Sequence, residues 1–207
     1  FKNKNLILIQ VESLEYFNIT KEIMPTLYNL MNSGWNFANY YNNTIGAAGT
    51  LESEFVTQTG LNPYKNISKT KFNYKKSIAN IFKNNGYVVN SFHNNKGLFY
   101  NRKVIHEKIG FDNHYSLKDM YDNINYYNDS AFFEKNEFAD LIIPSQEDKF
   151  YSFIVTISAH GPYKDNYFCT SEIDVNVSEQ DCFRYLSNQT DNFFKLLLDN
   201  LKEKKLY

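Results

Sequence analysis

Apolar residues along this chain fall into two periodicities, and their alternation predicts the architecture. Leu6-Ile7-Leu8-Ile9-Gln10-Val11-Glu12 is an unbroken apolar run closed by an acid. Such a run marks a strand covered on both faces, and hence a central strand of a parallel sheet. Tyr87 to Phe92 and Phe150 to Ile157 read the same way, ending at His93 and shortly before His160-Gly161-Pro162. Trp35 to Tyr41 alternates as a further strand. Between these runs the period lengthens to that of helices. Residues 23–33 have Pro25 at the start and Gly34 at the end, Tyr74 to Asn84 is closed by Gly86, and residues 103–109 stop at Gly110. Asp129 is positioned to cap a helix across Phe132, Phe133 and Phe138, whereas residues 111–128 are polar, tyrosine-rich and without readable period. A long helix spans Asp181 to Lys204, with Phe183, Leu186, Phe193, Leu197 and Leu201 on one face. Strand and helix alternate throughout. The predicted fold is therefore α/β, a mainly parallel central sheet with helices on both faces, in one domain over residues 1–207.

One stretch breaks the pattern. Gly46-Ala47-Ala48-Gly49-Thr50 is a small-residue turn running into a helix that extends to about Gln58 and is broken by Gly60 and Pro63. Thr50 stands at the junction. Its hydroxyl either caps the helix, or stands where free N–H groups favour an anion such as phosphate. In the second case a bound metal ion could activate it as a nucleophile.

Composition narrows the chemistry. The formal net charge of −1 over 207 residues gives no support for nucleic-acid binding by bulk electrostatics. The sequence has no run of 18 apolar residues and no signal peptide, and it opens almost inside a strand, as expected of a piece of a larger, membrane-anchored protein. Cys169 and Cys182 have no CxxC spacing, which excludes a zinc finger and leaves either one disulfide or two free thiols. Arg102 and Arg184 are the only arginines in a lysine-rich chain, so each marks a place where a planar fork is of use.

Glu12, Thr50, His93, Arg102 and His160 are far apart in sequence, yet each falls at a strand end or a helix start. In a parallel sheet those ends open on one edge, where ligands gather. Glu12 offers oxygen to a hard divalent cation, Thr50 an alkoxide, the two histidines a proton or a hold on substrate oxygens, and Arg102 a two-bond grip on phosphate. There is no Walker loop, GxGxxG turn or GxSxG elbow.

Several motifs together resemble the extracellular catalytic domain of lipoteichoic acid synthases and related phosphoglycerol transferases, in the sulfatase and alkaline-phosphatase superfamily. They are Leu6 to Leu14, Met24-Pro25-Thr26-Leu27, Gly49-Thr50-Leu51-Glu52-Ser53-Glu54-Phe55, Phe92-His93 leading to Phe99-Tyr100-Asn101-Arg102, and Ile157 to Tyr163. The resemblance implies that Thr50 is nucleophile and metal ligand, that Glu12 is a metal ligand, and that His93, Tyr100, Arg102 and His160 surround the substrate. It implies a divalent cation, Mn²⁺ first with Mg²⁺ or Zn²⁺ as alternatives. It implies a phosphatidylglycerol-type headgroup as donor, a polymer or glycolipid as acceptor, and a cell-membrane protein with this domain outside. Two departures from the family pattern are Tyr100, where a tryptophan is usual, and Asn95, where an acid is usual. The family's remaining metal ligands, an Asp-His pair on a strand after the last long helix, would fall beyond Tyr207. Other readings are a phosphoethanolamine transferase, phosphodiesterase or sulfatase on the same scaffold, or a non-catalytic binding fragment. Thr50 counts against a sulfatase, which uses a modified Cys or Ser.

Overall fold

The computed structural model describes residues 4–37, 39, 49–63, 73–121, 128–163, 169 and 176–207. Four strands form one sheet: β1 (Leu6–Gln10), β2 (Val88–His93), β3 (Asn113–Ser116) and β4 (Phe150–Val155), in the order β1-β4-β2-β3. Every pairing is parallel, with Gln10 and His93 both level with Val155 and His93 level with Ser116. The carboxyl ends of all four strands therefore share one edge.

The apolar run of β4 is buried along its whole length. Its side chains alternate between two cores, because successive residues of a strand point to opposite faces. Tyr151, Phe153 and Val155 join Leu51 and Phe55 of α2 (Thr50–Thr59), Ala79 of α3 (Ile78–Lys83) and Ile105 and Ile109 of α4 (Arg102–Ile109). Phe150 and Ile154 join the opposite core. There they meet Phe138 and Ile142 of α6 (Asn136–Ile142) and Phe193, Phe194 and Leu197 of α7 (Glu179–Glu203). Leu27 and Leu30 of α1 (Pro25–Ser33) pack on the same side, and α1 is tied to α7 where the backbone N–H groups of Thr26 and Leu27 donate to Asp191. Helices on both faces of a parallel sheet are what the alternation predicts.

Four expectations change. First, β1 is not central: among the described residues it pairs with β4 alone, and all five of its residues are only half-buried. Its side chains reach both cores, which accounts for the apolar run, while one backbone edge has no strand beside it among the described residues. Second, Trp35 to Phe37 is not strand; Trp35 and Phe37 are 93% and 73% exposed, and Ala38, Tyr40 and Tyr41 lie outside the described residues. Third, the unreadable stretch contains β3 and the short α5 (Leu117–Met120), whose cap is Ser116 accepting from the Asp119 N–H. Fourth, Asp129 does not cap a helix. Asn128 caps a 3₁₀ turn over Asp129–Phe133, and Asp129 turns inward. Cys169 and Cys182 form a disulfide. No helix among the described residues is long and apolar enough to cross a membrane.

Candidate active site

Two residues beyond β1, the chain reaches Glu12. Its backbone N–H donates to Thr156 Oγ1 at 3.0 Å, just past the end of β4, and this holds the carboxylate at the sheet edge. Thr50 arrives from the other direction as the first residue of α2. Gly49 occupies the capping position and the Thr50 side chain makes no capping bond. Its hydroxyl donates instead to Glu12 Oε1. Gln10, the last residue of β1, reinforces the approach by donating from Nε2 to the Thr50 carbonyl at 3.2 Å. Gly46, Ala47 and Ala48 of the turn before Thr50 lie outside the described residues.

Glu12 is mostly shielded, its side chain 13% exposed, and burial raises its pKa against the Thr50 hydroxyl, His160 and Arg102, which lower it. His160 stands at the mouth, 51% exposed, with Nε2 3.7 Å from Glu12 Oε1. His93, the last residue of β2, is buried and donates from Nδ1 to the Val155 carbonyl at 3.0 Å. Burial, then the nearby Arg102 charge, hold its pKa down at about 3. His93 is therefore neutral, and its Nε2 is an acceptor.

The expectation that Arg102 grips phosphate with two parallel bonds is corrected. The side chain is 1% exposed, and its Nε and Nη2 are committed to Glu54 at 2.8 to 3.1 Å. Its Nη1 has no hydrogen-bond partner among the described residues. Glu54 itself lies on α2, one turn beyond Thr50, and accepts also from His106 Nε2 at 2.7 Å. Tyr100 is about half-exposed, in left-handed backbone geometry, with its ring 5.8 Å from the Arg102 guanidinium carbon.

Contacts thus join Glu12, Thr50 and His160 directly. Arg102 and His93 are linked to them through electrostatics, and Tyr100 through its ring on Arg102. Sequence reasoning missed the residues that hold these in place: Gln10, Thr156, Glu54 and Asp129. Their signal is weak because each acts on a partner at least 28 positions away in the chain.

Two adjacent oxygens, one carboxylate and one hydroxyl, form the kind of donor set that a hard divalent cation takes. A buried carboxylate that its neighbours do not fully compensate fits such an ion. The set is incomplete, since among the described residues no three His, Cys, Asp or Glu side chains converge on one point.

A parallel sheet with helices on both faces is the fold this chain shares with solved structures of the alkaline-phosphatase superfamily. Residues 4–207 match the sulfatase family, and the chain belongs to that family. Among curated proteins it is similar to lipoteichoic acid synthase from Staphylococcus saprophyticus, 26% identical over the whole chain and 34% of the relative. It is also similar to a protein of Rhizobium meliloti described as a cyclic beta-1,2-glucan modification protein, 28% identical over 90% of the chain and 30% of the relative. Among solved structures, the lipoteichoic acid synthase LtaP from Listeria monocytogenes superposes with a TM-score of 0.81 at 26% identity, covering 99% of this chain and 53% of that one. The chain spans about a third of the length of the curated relatives it matches.

Proposed function

We propose that the protein to which this chain belongs transfers glycerol phosphate from a phosphatidylglycerol-type lipid to a polymer or glycolipid hydroxyl, with Thr50 as nucleophile. The observation that carries this reading is the hydrogen bond from the Thr50 hydroxyl to Glu12, two groups 38 positions apart that meet at the ligand-binding edge of the sheet. Relatives named lipoteichoic acid synthase support the class of reaction.

Thr50 Oγ1 attacks the headgroup phosphorus and its proton passes to solvent. The bond from phosphorus to the diacylglycerol oxygen breaks, and His160 supplies the proton that diacylglycerol takes as it leaves. The acceptor hydroxyl then attacks the phosphorus of glycerophosphoryl-Thr50 and gives its proton to His160, the bond from phosphorus to Thr50 Oγ1 breaks, and the Thr50 oxygen takes a proton from solvent. Neutral His93, with Nδ1–H committed to Val155, accepts at Nε2 and so suits a glycerol hydroxyl better than a phosphate oxygen. Arg102 contributes its charge and Nη1, which has no partner among the described residues. A divalent cation held by Glu12 and Thr50, Mn²⁺ first with Mg²⁺ or Zn²⁺ as alternatives, would lower the hydroxyl pKa and offset phosphate charge. The cell membrane, with this domain outside, is where such a donor would be met.

A second reading keeps the chemistry and changes the acceptor, since one relative is described by glucan modification rather than by lipoteichoic acid. Substituting Thr50→Ala tests both: transfer from phosphatidylglycerol should fall about a thousandfold or more with the fold intact. Retained transfer would remove Thr50 from the nucleophile role. Supplying a glycolipid and a cyclic glucan side by side distinguishes the acceptors.

A further inference from the structure

Asp129 is 0% exposed, yet among the described residues no cation pairs with it. Among the described residues its carboxylate accepts from neutral donors: Asn94 Nδ2 at 3.0 Å, the Ile157 N–H at 2.9 and 3.1 Å to the two oxygens, and the Ser158 N–H and Oγ at 2.7 Å each. Its own N–H returns a bond to Ser158 Oγ at 2.7 Å. The donors come from two places. Asn94 directly follows His93 at the end of β2, and Ile157 and Ser158 lie just past β4 and just before His160. The Ile157 carbonyl in turn accepts the His160 N–H at 2.8 Å. One carboxylate thus ties together the two segments that carry the site's histidines.

We propose that Asp129 is a positioning residue: its ionised carboxylate fixes the ends of β2 and β4 relative to each other, and so fixes His160 against Glu12 and His93 beside it. The inference rests on the transfer reading for the function of that site. The geometry needs the charged form. An ionised carboxylate accepts at both oxygens, whereas a protonated one presents an O–H to donors that already fill the space, so at least one bond must break. Burial, opposed by the bonds from Ser158 and Ile157, pushes the Asp129 pKa up to about 6, which brings that change near neutral pH. The groups facing it are Asn94, Ser158 and the backbone of Ile157; the charged group acting on it is Glu12, which raises it further.

Two measurements test the inference. In the 207-residue chain, the amide nitrogen shifts of Ile157 and Ser158 should titrate together near pH 6, and the side-chain amide of Asn94, which donates to the same carboxylate, should move with them. Shifts flat between pH 5 and 7 would overturn it, whether or not the chain turns over substrate. In protein that transfers glycerol phosphate, Asp129→Asn should lower kcat about tenfold at neutral pH with little change in KM, and should abolish the acid limb of the profile. Ser158→Ala removes one donor to the carboxylate and the acceptor of the Asp129 N–H, and keeps the bonds from the Ile157 and Ser158 N–H groups, so the acid limb should move to higher pH. A wild-type limb in both variants overturns the inference. Loss of transfer in Thr50→Ala alongside normal Asp129→Asn would contradict this inference alone, while transfer surviving in Thr50→Ala would contradict the underlying reading.

Discussion

Glu54 and Asp129 are both carboxylates with no exposure to solvent, and their environments drive them in opposite directions. Burial raises the pKa of each, since it penalises the charged form. At Glu54 the Arg102 charge and the His106 hydrogen bond outweigh burial and hold the group well below the usual carboxylate range. At Asp129 the donors that oppose burial among the described residues are neutral, and the pKa stays up at about 6. Equal burial with unequal counter-charge yields one carboxylate that is locked as an anion and one that is poised to change. The locked one anchors an arginine beside the site, and the poised one joins the loops that carry the histidines.

Removing charge should separate the two most sharply. Glu54→Gln leaves the Arg102 guanidinium buried without its anion, and should cost about 3–5 kcal/mol in urea unfolding. Asp129→Asn removes a charge that pairs with no cation among the described residues, exchanging part of its hydrogen bonding for relief from desolvation, and should cost only about 1–2 kcal/mol. Equal losses, or the reverse order, would break the comparison.

The pH dependence of stability sharpens it. Glu54, with its folded pKa depressed, contributes stability that is present above its ordinary value of 4.5 and is lost as pH falls below it. Asp129, with its folded pKa raised from 3.8 to about 6, contributes stability that is present below 3.8 and is lost as pH rises through about 6. Between pH 7 and 4, wild type should therefore gain on Asp129→Asn, whereas below pH 4.5 it should lose to Glu54→Gln. His93 adds a slope of its own: with its pKa held at about 3, the folded state loses ground as pH falls from 6.5. Unfolding curves of the three proteins across that range give the slopes directly.

The smallest expected effect is at the metal set. Two adjacent oxygens leave a cation mostly hydrated, so Mn²⁺ titrated calorimetrically into the 207-residue chain should bind weakly. Tight one-to-one binding would mean that the chain holds a fuller ligand set than Glu12 and Thr50.

The fold was legible where periodicity is strong. The unbroken apolar run of β4 reads as a buried strand and is one, and the stripe on α7 reads as a core-facing helix and is one. β3 was not legible, because Asn113-His114-Tyr115-Ser116 has no apolar pattern; backbone pairing with β2 makes it a strand. That β1 pairs with β4 alone among the described residues was hidden too, because an apolar run reports what covers the two faces and says nothing about neighbours in the plane. At the site, Glu12 and Thr50 were legible as a strand end and a helix start. The Glu54 grip on Arg102 and the inward turn of Asp129 were not, because a capping or ligand-facing residue and a buried one look alike until their partners are known.

The account stands on the meeting of Thr50 and Glu12, and mass spectrometry of protein quenched during turnover of phosphatidylglycerol examines it most directly. A glycerophosphoryl group on Thr50, absent in Thr50→Ala, is the predicted result. The same group on another residue, or sustained turnover with Thr50 never modified, would contradict it.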